Sequence, residues 1–353
     1  MSQHKDNDLQ FLSLFQEMQR DIDQFSTVKI KSKDTIDNLY EINLIAALVK
    51  NFEFNLYISN KINSPGSFYT VPTLRSICED IIILKAIRRI EKNNERNELV
   101  ALLQIRELFQ AIKKQTIFFS ENLPNQVVLG QIEPISMSAD GVKKFEINGS
   151  HTDNKVLEEI TNRINIIYFS NHLTASIKKT PSVHFLATKV GLSALYDFIY
   201  HATSKWVHFS PQHLLRTGWG KNIDEHTFST KNFSLYYLKF AQIYAAFLLI
   251  VFYKNFKSDL KFSVEFSEKI DKLEEITKAI DRWPELVTFE ELNLPLPHPI
   301  YLSLLSVLRN SGIEEKDIHK EAKKIMANLS SEDIKDLFEA YEIGKAKAAK
   351  LDK

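Results

Sequence analysis

Cysteine is almost missing from this sequence: one residue, Cys78, among 353. A single thiol excludes an intramolecular disulfide and a structural thiolate metal centre, and it fits a reducing compartment. Glycine and proline are scarce as well, with 9 and 10 residues in the whole chain. So few breakers leave room for long uninterrupted helices. Net charge is absent too, since 45 Lys and Arg offset 45 Asp and Glu. That balance excludes a chain coated for indiscriminate polyanion binding. The N-terminus offers no basic stretch followed by an apolar run and a small-residue cleavage site, so a cytoplasmic protein is expected. HExxH, CxxC, the P-loop and GxGxxG are all missing, and neither a metal nor a cofactor is expected.

What is present is hydrophobic residue at helical spacing, 44% of the chain overall. Phe11, Leu14, Phe15, Met18 and Ile22 form one stripe; Leu39, Ile42, Leu44, Ile45, Leu48, Phe52 and Leu56 form another. Pro65-Gly66 closes that second segment, and Pro72 opens a third helix running to about Lys92. A fourth, from Leu99 to Phe119, is expected to pair antiparallel with the third through Asn93-Asn94. Further helices are expected over 154–177, 181–208, 232–256 and 263–283. Within the third of these, Ile243 to Tyr253 reads IYAAFLLIVFY, too short for a membrane span between Lys239 and Lys254 and therefore a buried central helix.

The expected fold is all-α, a multi-helix bundle with a small β-hairpin or irregular insertion and a C-terminal helical appendage. Residues 1–283 make the helical core. The insertion falls at about 124–153, where Gly130, Gly141, Gly149, Pro124 and Pro134 interrupt short alternating runs. Pro295, Pro297 and Pro299 make 284–299 a proline-rich strap. Residues 300–353 form a helical tail of nearly balanced charge, a candidate surface for a protein partner.

Two constellations carry chemistry. The stretch from Tyr196 to Asn222 has one acid, Asp197, and then none, while Lys205, Arg216 and Lys221 are basic and His201, His208 and His213 cluster. Tyr196, Tyr200, Ser204 and His208 recur at i+4 and predict a ladder on one helical face, with His201 and Lys205 beside it. Ser204 and His208 at that spacing have the minimum geometry of an activated nucleophile, although no orienting acid is identifiable nearby. Trp206, Lys205, His201 and Arg216 are candidate contacts to an anion or a base. His201 and His208 stand roughly 10.5 Å apart along a helix and do not share one metal ion. The second constellation is Arg75 and Glu79, an i,i+4 pair among Leu74, Ile77, Ile81 and Ile82; a buried pair of this kind must be matched or used. A milder excess of Lys and Arg between Ile81 and Lys114 reads as a solvated face or a nucleic-acid track.

RSICED at 75–80, YDFIYHATSKWVHFSP at 196–211 and RWPELVTFEELN at 282–293 together resemble an uncharacterised bacterial all-helical family, a domain-of-unknown-function group of the 5677 type. The resemblance implies that Arg75, Glu79, Tyr200, Ser204 and His208 are a shared polar set converging from two helices. More distantly, the chain is similar to the HEPN-type helical ribonucleases. Their Arg-to-His spacing of four to six residues is missing here, since Arg163–His172, Arg216–His226 and Arg309–His319 are too far apart. A rearranged site would need Arg75 brought to His208 across helices.

The leading expectation is thus a protein acting on a phosphate ester or nucleotide, a nuclease of a defence or toxin-type system, with nucleic acid or nucleotide as partner. His208 would be its general acid and base, Arg75 its anion holder, Glu79 the group that orients Arg75 or His208, and Tyr200 and Ser204 its hydrogen-bond donors. The alternative is a non-catalytic helical binding or scaffold module, whose polar residues form a structural network. No membrane partner is expected, and self-association is left open.

Overall fold

The computed structural model describes residues 2–26, 38–61, 68–123, 125, 154–208, 210, 216, 229–231, 234–280, 283–287, 308, 313 and 315–328. Among them every regular element is a helix: α1 (Ser2–Ser26), α2 (Leu39–Ser59), α3 (Val71–Arg88), α4 (Asn93–Asn122), α5 (Asn154–Ser170), α6 (Val183–Val190), α7 (Ser193–Val207), α8 (Ser234–Phe256), α9 (Val264–Lys278) and α10 (Glu315–Asn328). The fold is all-α. The expected hairpin at 124–153, most of the proline strap and most of the tail lie outside the described residues.

The chain divides into two compact units. One comprises Met1–Phe209 and Ser234–Arg282, and the other Ser210–Phe233 and Trp283–Lys353. In the first unit α8 is the hub. Its apolar run leaves almost no polar face, so it must be surrounded, and it packs against α2, α3 and α9. By length and composition it is the one helix among the described residues able to cross a membrane, yet most of that apolar stretch is buried inside the chain. Phe240, Ala241, Ala245, Leu248, Leu249, Phe252 and Phe256 are all buried. Two side chains fix its position against α2: Asn55 Nδ2 donates to the Ala245 carbonyl at 3.1 Å and Gln242 Nε2 to the Ile58 carbonyl at 3.3 Å. Such bonds between fully buried groups restrict sliding that apolar contacts alone would tolerate.

Around this hub, α1 lies on α2 and α9 through the stripe Phe11, Leu14, Phe15, Met18 and Ile22, every member buried as its spacing predicts. Helix α3 packs on α6, α7 and α8, and α4 packs chiefly on α5. The expected close pairing of α3 with α4 is therefore reduced to a slight contact. Each has a larger apolar surface to satisfy elsewhere: Leu102, Ile105 and Phe109 of α4 and Ile160, Ile164 and Ile167 of α5 are all buried where the two helices pack. A bidentate ion pair, Arg163 Nε and Nη2 to Glu98 at 2.6 and 3.0 Å, holds that hairpin in register.

The helix expected over 181–208 is broken in two. Gly191 takes a left-handed φ of 74° and ends α6, and the Leu192 amide returns to the Ala187 carbonyl at 2.8 Å. Ser182 caps the start of α6, its hydroxyl accepting from the Phe185 amide at 3.2 Å. The break folds α6 back on α7 while both rest on α3. No atom lies within 4 Å of where a Cβ on Gly191 would sit, so the residue is required by its backbone alone. Gly191→Ala is expected to cost about 1 kcal/mol in urea unfolding, with helix content unchanged by circular dichroism.

Candidate functional site

The α6–α7 break places three helices around one polar patch. From α3, Arg75 Nε donates to Glu79 Oε1 at 2.7 Å, one turn further along the same face. Both side chains lie at the rim of the apolar interior, 30% and 26% exposed, rather than inside it. From α7, Tyr200 lies under the guanidinium, with Arg75 Cζ 4.5 Å from the ring centroid. Tyr196, one turn earlier, stacks beside Tyr200 with ring centroids 5.5 Å apart. Helix α6 contributes His184, whose ring lies 6.2 Å from that of Tyr196 and whose Nε2 is 3.3 Å from Asp197 Oδ1.

The electrostatics follow from these positions. The hydrogen bond to Glu79 raises the Arg75 pKa further above its ordinary value, so the guanidinium stays charged. Burial and then the Glu79 charge raise the Tyr196 phenol, with Arg75 pulling the other way, so it remains a proton donor at neutral pH. Cys78, facing inward from the same helix, is buried, and burial pushes its thiol up to about 12. It is a core residue and not a nucleophile. Arg75 has one notable feature left over. Beyond the bond from Nε, its two terminal nitrogens donate to nothing among the described residues.

Arg75, Glu79 and Tyr200 are therefore brought together across two helices. Ser204 and His208 are not joined to them. Helix α7 ends at Val207, and His208 is extended at φ −111° and ψ 157°, its amide closing the helix on the Ser204 carbonyl at 2.9 Å. The expected i+4 ladder therefore stops at Ser204. The Ser204 hydroxyl donates to the His201 carbonyl at 3.3 Å, so the nucleophile geometry expected with the His208 imidazole is not formed. The rearranged Arg75–His208 pairing is not formed either: no hydrogen bond or ion pair joins the two among the described residues. The reason is local, because a helix that ends one residue early turns its next side chain off the face.

The remaining candidates are dispersed. His201 is exposed on α7 and Lys205 half-buried. Trp206 packs into an aromatic cluster, 4.2 Å from Phe68 and 4.6 Å from Tyr237 between ring centroids. Arg216 belongs to the second unit, where it is buried and donates to the Leu286 carbonyl at 2.9 Å. His213 and Trp219 lie outside the described residues. Sequence reasoning missed His184 and its partner Asp197. They are thirteen positions apart across a reversal, and only the glycine at 191 signalled that the two segments meet.

An all-helical bundle with a half-buried arginine set between a carboxylate and a tyrosine ring is the class that fold and site define. Residues 70–227 match the model of a family of unknown function, DUF5677. Of the three stretches that carry the resemblance, 75–80 and 196–211 fall inside that match and 282–293 falls outside it. No curated protein and no solved structure matches the chain.

Proposed function

We propose that this chain is a cytoplasmic helical module that binds a phosphate ester or nucleotide, with Arg75 as the anchor. One observation supports the reading above the others: the guanidinium is fixed at Nε by Glu79 and on its face by Tyr200, while its terminal nitrogens donate to nothing among the described residues. An arginine held in this way loses little freedom when it takes an oxyanion through two parallel hydrogen bonds. Phosphate suits the site because its further oxygens can accept from a phenol such as that of Tyr196, which burial keeps protonated. The balanced net charge agrees with a local contact and not with a polyanion track.

A second reading, phosphodiester cleavage by a nuclease of defence or toxin type, is favoured by the His184–Asp197 pair. A histidine with a carboxylate 3.3 Å away has the orienting acid that the sequence did not supply for His208. In that version His184, not His208, exchanges the proton.

Titration of the full chain with AMP separates these readings. Arg75→Gln is expected to weaken AMP binding at least about tenfold, the worth of a lost charge-assisted hydrogen bond. Stability should fall by only about 1 kcal/mol, the scale of a rim ion pair. Unchanged AMP affinity in Arg75→Gln would refute the anchor, and a fall of many degrees in melting temperature would make the cluster a structural network. RNA cleaved by the wild type and spared by His184→Ala supports the nuclease reading; RNA left intact by the wild type ends it.

A further inference from the structure

A second arginine in the same unit is stranded more severely than Arg75. Arg106 lies on α4 opposite α5, and no carboxylate among the described residues pairs with it. Its Nε is wholly buried without a hydrogen-bond partner among the described residues. Among the described residues the guanidinium makes one long contact, Nη1 to Thr180 Oγ1 at 3.4 Å. A guanidinium nitrogen buried without a hydrogen-bond partner carries a desolvation cost that nothing offsets, even where the rest of the group reaches solvent.

Its neighbours are arranged as donors too. Thr180 Oγ1 donates to Asn165 Oδ1 at 2.8 Å, which orients the Asn165 amide so that its nitrogen is the remaining end. Asn165 is 1% exposed, yet that nitrogen donates to nothing among the described residues. Tyr168, one turn along α5, is buried, and burial pushes its phenol up to about 12 while the Arg106 charge pulls it down. The phenol is thus a proton donor within the field of Arg106. Arg106 and Thr180 are half-buried, whereas Asn165 and Tyr168 are buried.

We propose that this niche between α4, α5 and Thr180 binds a small oxyanion, a carboxylate or phosphate group, taken by Arg106 with Asn165 Nδ2 and the Tyr168 hydroxyl as further donors. Three donors and no acid define the charge of the occupant. The site is independent of the Arg75 anchor, which lies on α3 and uses different partners.

The test is calorimetric titration of the full chain with inorganic phosphate and, separately, with acetate, at constant ionic strength in chloride. Saturable binding of either anion that survives Arg75→Gln but weakens about tenfold in Arg106→Gln supports the niche. Tyr168→Phe removes only the hydroxyl and keeps the packing, so it is expected to fold and to weaken binding severalfold. Phosphate binding alone marks a phosphate site, and acetate binding as well marks a general carboxylate site. If neither anion binds, or if Tyr168→Phe and Arg106→Gln bind as the wild type does, the niche holds only water and the proposal is overturned. Loss of binding in Arg75→Gln with Arg106→Gln unaffected would overturn it equally, leaving the Arg75 reading intact.

Discussion

Phe252→Ala should cost the first unit about 3–5 kcal/mol, the range for truncating a fully buried phenylalanine. The side chain is 0% exposed, one turn before the C-terminal end of α8, and its ring lies 4.8 Å from that of Phe256. The position cannot collapse easily, because α2, α3 and α9 converge on α8 and are held to one another through it. Lost transfer energy and the cavity left behind therefore add. Val264→Ala is the control: at 71% exposed it should change stability by no more than about 0.5 kcal/mol. Urea unfolding followed by circular dichroism reads both as shifts in midpoint with unchanged slope. A Phe252→Ala midpoint within that of the control would contradict the central role of α8.

Alkaline pH is expected to have an effect of similar size. Cys78, Tyr40 and Tyr168 are all buried, and burial raises each above its ordinary value of 9.0, 10.0 and 10.0 respectively. The native state thus keeps protons that the unfolded chain releases. The stabilisation is complete below about pH 9, the lowest of the unfolded values, and is lost as pH climbs toward 12. Each withheld proton steepens the loss by about 1.4 kcal/mol per pH unit, so the three together approach about 4 kcal/mol per unit above pH 10. Lys85 opposes them, since burial and its neighbours Arg89 and Arg88 lower its value, but it is one group against three. Melting temperatures from pH 8 to 11 should fall with increasing slope, and Cys78→Ala should flatten the portion between pH 9 and 10. A level profile to pH 11 would show that these groups titrate alike in both states.

How much of this was legible beforehand differs by residue. The α1 stripe and the run from Ile243 to Tyr253 declare their burial in their spacing, because an apolar face of that size has no other stable place. The Arg75–Glu79 bond is legible for the same reason, since i,i+4 residues on a helix are neighbours whatever surrounds them. The i+4 spacing sets Tyr200 on the same face of α7 as Tyr196. That its ring would lie under Arg75 depends on α7 crossing α3, which no local pattern encodes.

His208 marks the other limit. A spacing rule extends a ladder indefinitely, but the helix stops at Val207 and the rule stops with it. His184, Asp197, Arg106, Asn165 and Tyr168 could not be grouped from the sequence because their partners arrive from other elements: α6 folded back at Gly191, and α5 and Thr180 laid against α4. The sequence by itself determined an all-helical chain, the buried hub and the ion pair within one helix. Only the tertiary structure decided which cations are matched by acids and which are left open. Helical periodicity is a property of neighbours along the chain, whereas the pairing of a charge depends on what packing brings within a few ångströms of it.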